Sequence, residues 1–178
     1  AAHGTGALAG DPIRTHPVRG QVSWGLHADG ARPTDGPVVP VHGHGHLLPE
    51  VPLPGGRAWM IGATYSRDDA DVAPRAADQA ANRARLAVLA PTLAQALGPA
   101  FDSGTAQSWT GIRCVTRDRR PLAGWLAPGL GVSTALGSRG LTFAVLAAEL
   151  LVARLHGEPL PVERPLADAL DPRRLTDR

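Results

Sequence analysis

Residues 140 to 156, read as Gly-Leu-Thr-Phe-Ala-Val-Leu-Ala-Ala-Glu-Leu-Leu-Val-Ala-Arg-Leu-His, form a helical run that is apolar nearly all the way round. A helix without a polar face has to be buried on more than one side, so this segment predicts a layered fold in which it lies inside. Gly157 is placed to end it as a C-cap residue, with Pro159 just beyond. The run carries Glu149 and Arg154 and falls short of the roughly 18 uncharged apolar residues of a membrane span. A short buried strand is predicted over residues 131–136, directly before the turn Gly137-Ser138-Arg139-Gly140.

The remaining pattern is mixed. A strand is predicted over residues 16–24, interrupted at Gly20, then a loop over 25–36 rich in Gly, Pro and Asp. Two extended runs, 38–51 and 58–65, flank Pro52-Leu53-Pro54-Gly55-Gly56 and read as a hairpin. An acidic loop (66–74) leads into helix 75–97, whose Leu86, Leu89, Leu93 and Leu97 share one face and which Pro91 kinks or splits. Another strand covers 107–116, and the tail after Gly157 holds short helical turns at most. This order predicts an α/β (α+β) chain: a Rossmann-like, nucleotide-binding layer interrupted by a second, antiparallel-sheet lobe. The expected division is 1–16, 17–111 and 112–178.

Composition narrows the classes. A hydrophobic content of 43% over 178 residues supports a packed core and excludes disorder as the default. The lone Cys114 permits no intramolecular disulfide, fits a reducing cytosol, and reads as a packed small residue rather than a nucleophile. All 18 basic residues are arginines, with a formal net charge of +2. Arg117, Arg119 and Arg120 cluster, as do Arg173, Arg174 and Arg178; either group could touch phosphate or form a solvated basic face. Ala1-Ala2-His3-Gly4 reads like the end of a strand entering a turn, so the chain is expected to be the C-terminal part of something longer.

Several motifs carry chemistry. Gly4-Thr5-Gly6-Ala7-Leu8-Ala9 matches a dinucleotide pattern, but Asp11-Pro12 stops any following helix and the match is rejected. His42, His44 and His46 alternate on a predicted strand; Gly43 and Gly45 between them weaken a metal reading, no metal is expected, and His46 is the one nearest an apolar end that could line a ligand pocket. Arg113 stands between Ile112 and Cys114 on a strand, where its partner is either a structural acid such as Asp118 or a substrate carboxylate. Gly137-Ser138-Arg139-Gly140 is either a plain turn with Ser138 as N-cap, or a helix start whose N–H groups hold an electron-rich ligand atom. Arg19-Gly20-Gln21 is a polar insertion, either a bulge or a turn toward a cofactor.

Taken together, Pro17-Val18-Arg19-Gly20-Gln21-Val22-Ser23, Ile61-Gly62-Ala63-Thr64-Tyr65, Gly111-Ile112-Arg113-Cys114-Val115-Thr116-Arg117-Asp118-Arg119-Arg120-Pro121, Leu136-Gly137-Ser138-Arg139-Gly140-Leu141 and Gly157-Glu158-Pro159-Leu160-Pro161 resemble the C-terminal oxidoreductase domain of bifunctional tRNA 5-methylaminomethyl-2-thiouridine biosynthesis proteins, in the FAD-dependent D-amino-acid oxidase and glycine oxidase superfamily. The resemblance implies a cytoplasmic flavoprotein that oxidatively removes the carboxymethyl group, as glyoxylate, from carboxymethylaminomethyl-(2-thio)uridine at the tRNA wobble position. It implies FAD as cofactor, tRNA as substrate, and a methyltransferase domain elsewhere in the full-length protein. Carried onto this chain, Arg113 holds the substrate carboxylate. Ala2 to Gly4 match the turn near the dinucleotide, with Gly4 touching the cofactor; the segment Gly137, Ser138, Arg139, Gly140, Leu141 and Thr142 lies against the flavin, while Gln21, His46 and Tyr65 face the substrate cavity. An FAD-dependent oxidase of glycine, sarcosine or D-amino acids stays open as an alternative, as does a non-catalytic remnant.

Overall fold

The structure, a computed structural model, describes residues 4–5, 13–27 and 36–175. Ala2, the Gly6 to Ala9 part of the rejected dinucleotide pattern, most of the predicted 25–36 loop and Arg178 lie outside the described residues. The chain forms two compact units: one of residues 1–18, 67–70 and 112–178, the other of residues 19–66 and 71–111.

The second unit is built on an antiparallel sheet. Strand β1 (His16–Leu26) runs without a break through Gly20, where an interruption was expected. The predicted hairpin forms as β3 (His46–Leu53) and β4 (Gly56–Gly62), with β2 (Val41–His42) added at the edge of β3. The connection is tight, and Gly55 takes it at φ 99°, a conformation that disfavours side chains. The sheet order is β2-β3-β4-β1-β5, with β5 at Ser66–Arg67 and with β6 (Gln107–Val115) also pairing β1. Alternation along β4 sends Trp59 and Ile61 to one face, and register places Leu47 of β3 opposite Ile61. That face is covered by helices α1 (Ala76–Leu89) and α2 (Pro91–Asp102). Pro91 splits the predicted helix, because proline supplies no N–H to an unbroken ladder and is well suited to a first turn. Leu47, Trp59, Ile61, Leu86, Ala90, Leu93 and Leu97 make one core, each large side chain contributing about 1.5–3 kcal/mol by leaving water.

Opposite Trp59 stands Gly25, where a Cβ would come within 3.0 Å of the indole, so the strand leaves room for the ring. The other large feature of this unit is polar. Arg19 is 0% exposed. Its guanidinium pairs with Asp78 in the first turn of α1 and donates to the Asp71 and Ala73 carbonyls and the Gln21 amide oxygen. The polar insertion is therefore not a turn; it is a buried tie between the sheet and the entry of α1.

The first unit holds a β-hairpin of β7 (Leu122–Ala127) and β8 (Leu130–Thr134), the end of β6, and helix α3 (Gly140–His156). Strand β7 escaped sequence reading because Leu-Ala-Gly-Trp-Leu-Ala lacks both alternation and β-branched residues. Gly157 ends α3 in the left-handed region at φ 68°, as its position predicted. Short α4 (Arg164–Asp168) and a single 3₁₀ turn follow. Ala123, Ala147, Leu150 and Ala167 form one core, and Ile13, Cys114, Leu122, Val132 and Ala135 another, so Cys114 is a packed thiol. Arg154 ties the hairpin to the tail, donating to the Ala123 and Ala167 carbonyls and pairing with Asp171 at 3.2 Å.

One expectation for α3 is corrected. Only Ala147, Leu150 and Ala153 are buried, whereas Leu141 is 99% and Val145 66% exposed. The elements described cover a single stripe along α3, and its other apolar positions, Leu141 and Val145 among them, stay open. Among the described residues no helix is long and apolar enough to cross a membrane.

Candidate active site

Strand β6 carries Arg113 half-buried, one residue before the buried Cys114. The carbonyl of Cys114 accepts the Gly137 N–H at 3.1 Å. This bond draws the turn after β8 onto the strand that carries Arg113. The turn needs two left-handed residues, Ala135 at φ 57° and Gly137 at φ 59°, and a Cβ on Gly137 would meet Val115 at 3.2 Å. Glycine at 137 is thus required by the fold itself.

Glycine at 140 is not. It is the first residue of α3, its φ lies outside the left-handed region, and a Cβ there would find only Leu136, at 4.0 Å. No side chain caps the helix, Arg139 occupies the N-cap position, and the first turn holds no acid. Ser138 is exposed and does not cap, which corrects the plain-turn expectation. The helix start therefore presents uncapped N–H groups and an unneutralised positive dipole end toward open space. Thr142 and Leu141 are exposed beside it.

The N-terminal stretch reaches the same turn from another side. Thr134, 1% exposed at the end of β8, donates its hydroxyl to Thr5 at 3.1 Å, which brings Gly4 alongside. Gly4 is exposed and a Cβ there would touch nothing within 4 Å. So Thr5, next to Gly4, is tied to the end of β8, and Cys114, next to Arg113, to Gly137, all within one unit.

Asp118 is engaged by donors other than Arg113. Its carboxylate accepts from Arg174 at 3.0 Å, from the Thr116 hydroxyl at 2.7 Å and from the Arg120 N–H at 3.0 Å. Burial pushes this carboxyl's pKa up, but those three donors and the Arg174 charge outweigh it and hold the group well below the usual carboxylate range. The clamp on the turn after β6 was not singled out from sequence, although Thr-x-Asp spacing is its local signature.

The other predicted residues lie in the second unit. Gln21 is 1% exposed and its side-chain amide is engaged: the oxygen accepts from Arg19 and the Arg75 N–H, and the nitrogen donates to the Arg75 carbonyl. Its role there is structural. His46 is exposed and does not share a single strand with His42 and His44. It faces His42 across a β2–β3 turn, with the two Nδ1 atoms 2.7 Å apart. Among the described residues no set of three or more His, Cys, Asp or Glu is arranged to hold a metal. Tyr65 is 50% exposed on the segment after β4.

Comparison with known proteins converges on the same architecture. Residues 1–154 match the family described as FAD dependent oxidoreductase, and the chain belongs to that family. Over 99% of its length it is 49% identical to the tRNA 5-methylaminomethyl-2-thiouridine biosynthesis bifunctional protein MnmC of Polaromonas naphthalenivorans (strain CJ2), of which it spans 29%. Among solved structures it resembles iminodiacetate oxidase from Chelativorans sp. BNC1, with a TM-score of 0.67 and 23% identity over 95% of this chain and 43% of that one. It also resembles glycine oxidase from Geobacillus kaustophilus, with a TM-score of 0.65 and 23% identity over 90% and 40% of the two chains. At such identities the structures speak for the fold alone.

The site suits the family's cofactor on grounds of its own. At Gly140 a Cβ would have only Leu136 near it, at 4.0 Å, and the first-turn N–H groups of α3 carry no side-chain cap; an electron-rich ring edge can approach there closely. Gly140→Ala is expected to leave thermal stability unchanged or slightly raised, since alanine is the better helix former by about 1 kcal/mol. In FAD-loaded protein the same substitution is expected to weaken flavin retention, read by the FAD-to-protein absorbance ratio after dialysis. Unaltered retention would remove Gly140 from the cofactor site.

Proposed function

We propose that this chain is the C-terminal oxidase portion of a tRNA-modifying flavoprotein. It removes the carboxymethyl group, as glyoxylate, from carboxymethylaminomethyl-(2-thio)uridine at the wobble position. The observation that carries the reading is the Gly137 N–H to Cys114 carbonyl bond, which ties the strand of Arg113 to the start of α3. The name of its Polaromonas relative supplies the substrate class.

Within this reading residues 112–178, with Gly4, form the FAD-domain segment, and the sheet unit around residues 17–111 binds substrate. Gly137 to Thr142 hold FAD at the helix start. When bound, the cofactor supplies the two-electron oxidation of the amine-bearing methylene. Arg113 holds the carboxylate through charge-assisted hydrogen bonds and fixes which methylene is presented. The main-chain N–H groups of α3 stabilise negative charge without proton transfer, so no acid–base dyad is required. The open apolar face of α3 supports completion of this layer by further polypeptide; a methyltransferase domain in the full-length protein and a cytoplasmic location belong to the same reading.

The test uses FAD-loaded full-length protein and tRNA carrying carboxymethylaminomethyl uridine at the wobble position. Glyoxylate release equal to the aminomethyl uridine formed is expected. Oxidation of free glycine or sarcosine with no reaction on that tRNA would overturn the reading.

A further inference from the structure

The turn between β6 and β7 presents Arg117, Arg119 and Arg120 in succession, all exposed. Its geometry is held from two sides. Asp118 is clamped by Thr116 and by the Arg120 N–H, and Arg174 pairs with it from the tail at 3.0 Å. Arg174 also donates to the Arg120 carbonyl, and Arg139, the N-cap of α3, donates to the Arg119 carbonyl at 2.9 Å. Arg119 takes a left-handed conformation at φ 58° within this frame.

The consequence is an unusual charge pattern for a chain of net +2. The acid in the turn is spent on Arg174, so it does not neutralise its neighbours. Among the described residues none of the Arg117, Arg119 and Arg120 guanidiniums has an acidic partner. Arg139 adds a fourth, stacked over Phe143 at 5.1 Å. Three arginines carried on a turn whose main chain is held in place lose little backbone freedom on binding, and their forks match phosphate oxygens.

We infer that the 117–120 turn is a phosphodiester-binding edge that grips the RNA backbone of the substrate beside the site of Arg113. The inference rests on the tRNA reading above and adds to it the surface that holds the nucleic acid. The turn follows the Arg113 strand directly, so RNA seated on it brings its modified base toward that strand's end. Backbone contacts of this kind position the substrate without reading sequence.

The experiment compares wild-type protein with the triple variant Arg117→Ala, Arg119→Ala, Arg120→Ala and with a control of equal charge loss, Arg57→Ala, Arg67→Ala, Arg164→Ala. Affinity for unmodified tRNA is measured by fluorescence anisotropy from 50 to 300 mM salt. The turn variant is expected to bind on the order of tenfold more weakly, with the slope of log affinity against log salt reduced by roughly 2–3. The control is expected to change either quantity far less. FAD-loaded turn variant is expected to oxidise a small N-substituted glycine at the wild-type rate. Equal losses in both variants, or an unchanged turn variant, would overturn the inference while leaving the tRNA reading intact. Wild-type protein that oxidises the small amine yet binds anionic lipid vesicles in place of tRNA would sink the tRNA reading itself.

Discussion

Asp78→Ala is expected to destabilise the sheet unit by about 3–5 kcal/mol, a large part of the 5–15 kcal/mol that holds a typical domain. The reason lies in Arg19. Its side chain has no access to water, and Asp78, 15% exposed, pairs with it directly, while Asp71 acts on it through space. Removing the carboxylate leaves a buried cation whose direct acceptors are neutral carbonyl, amide and hydroxyl oxygens. Replacing both residues, as Arg19→Met with Asp78→Leu, is expected to cost less than Asp78→Ala alone, since no uncompensated charge remains. Urea unfolding of all three proteins makes the comparison. A loss below about 1 kcal/mol for Asp78→Ala, or a double variant no more stable than the single, would show that the pair is not what ties α1 to the sheet.

Arg113→Ala, in FAD-loaded protein, is expected to lower kcat/KM for a carboxymethylamine by roughly 10- to 150-fold, the equivalent of about 1.5–3 kcal/mol for a hydrogen bond to a charged group. The loss should vanish on a substrate analogue in which the carboxylate is a neutral amide, because the interaction removed is with that charge. Arg113→Lys is expected to recover only part of the activity, since an ammonium retains the charge but not the fork. Flavin content should be unchanged, which separates carboxylate binding from cofactor binding. Equal kcat/KM for wild type and Arg113→Ala on the charged substrate would take Arg113 out of the site.

The two units differ in how readily their parts could be read from sequence. Elements punctuated by proline and glycine were legible: the hairpin turning at Gly55, the helix split at Pro91, and α3 ending at Gly157. These residues act through local backbone restrictions that need no partner. Strand β7 was not legible, because Leu122, Ala123 and Gly124 are buried by the pairing partner β8 and by residues up to Pro172, not by any pattern of their own. Ser138 looked like an N-cap, yet the turn's left-handed residues placed Arg139 there. Gln21 looked available to a substrate; burial of Arg19 beside it absorbed its amide.

The candidate site divides the same way. The residue types were in the sequence: an arginine on a strand, a glycine-rich helix start, a small residue at position 4. The juxtaposition was not, since Thr5 and Thr134, or Cys114 and Gly137, meet only when distant segments fold together. By itself the sequence determined the helix and turn boundaries, because proline, glycine and hydrophobic spacing act within a few residues of backbone. Only the tertiary structure decided which polar groups are consumed inside the fold and which face outward, because that depends on which segments, far apart along the chain, exclude water from one another.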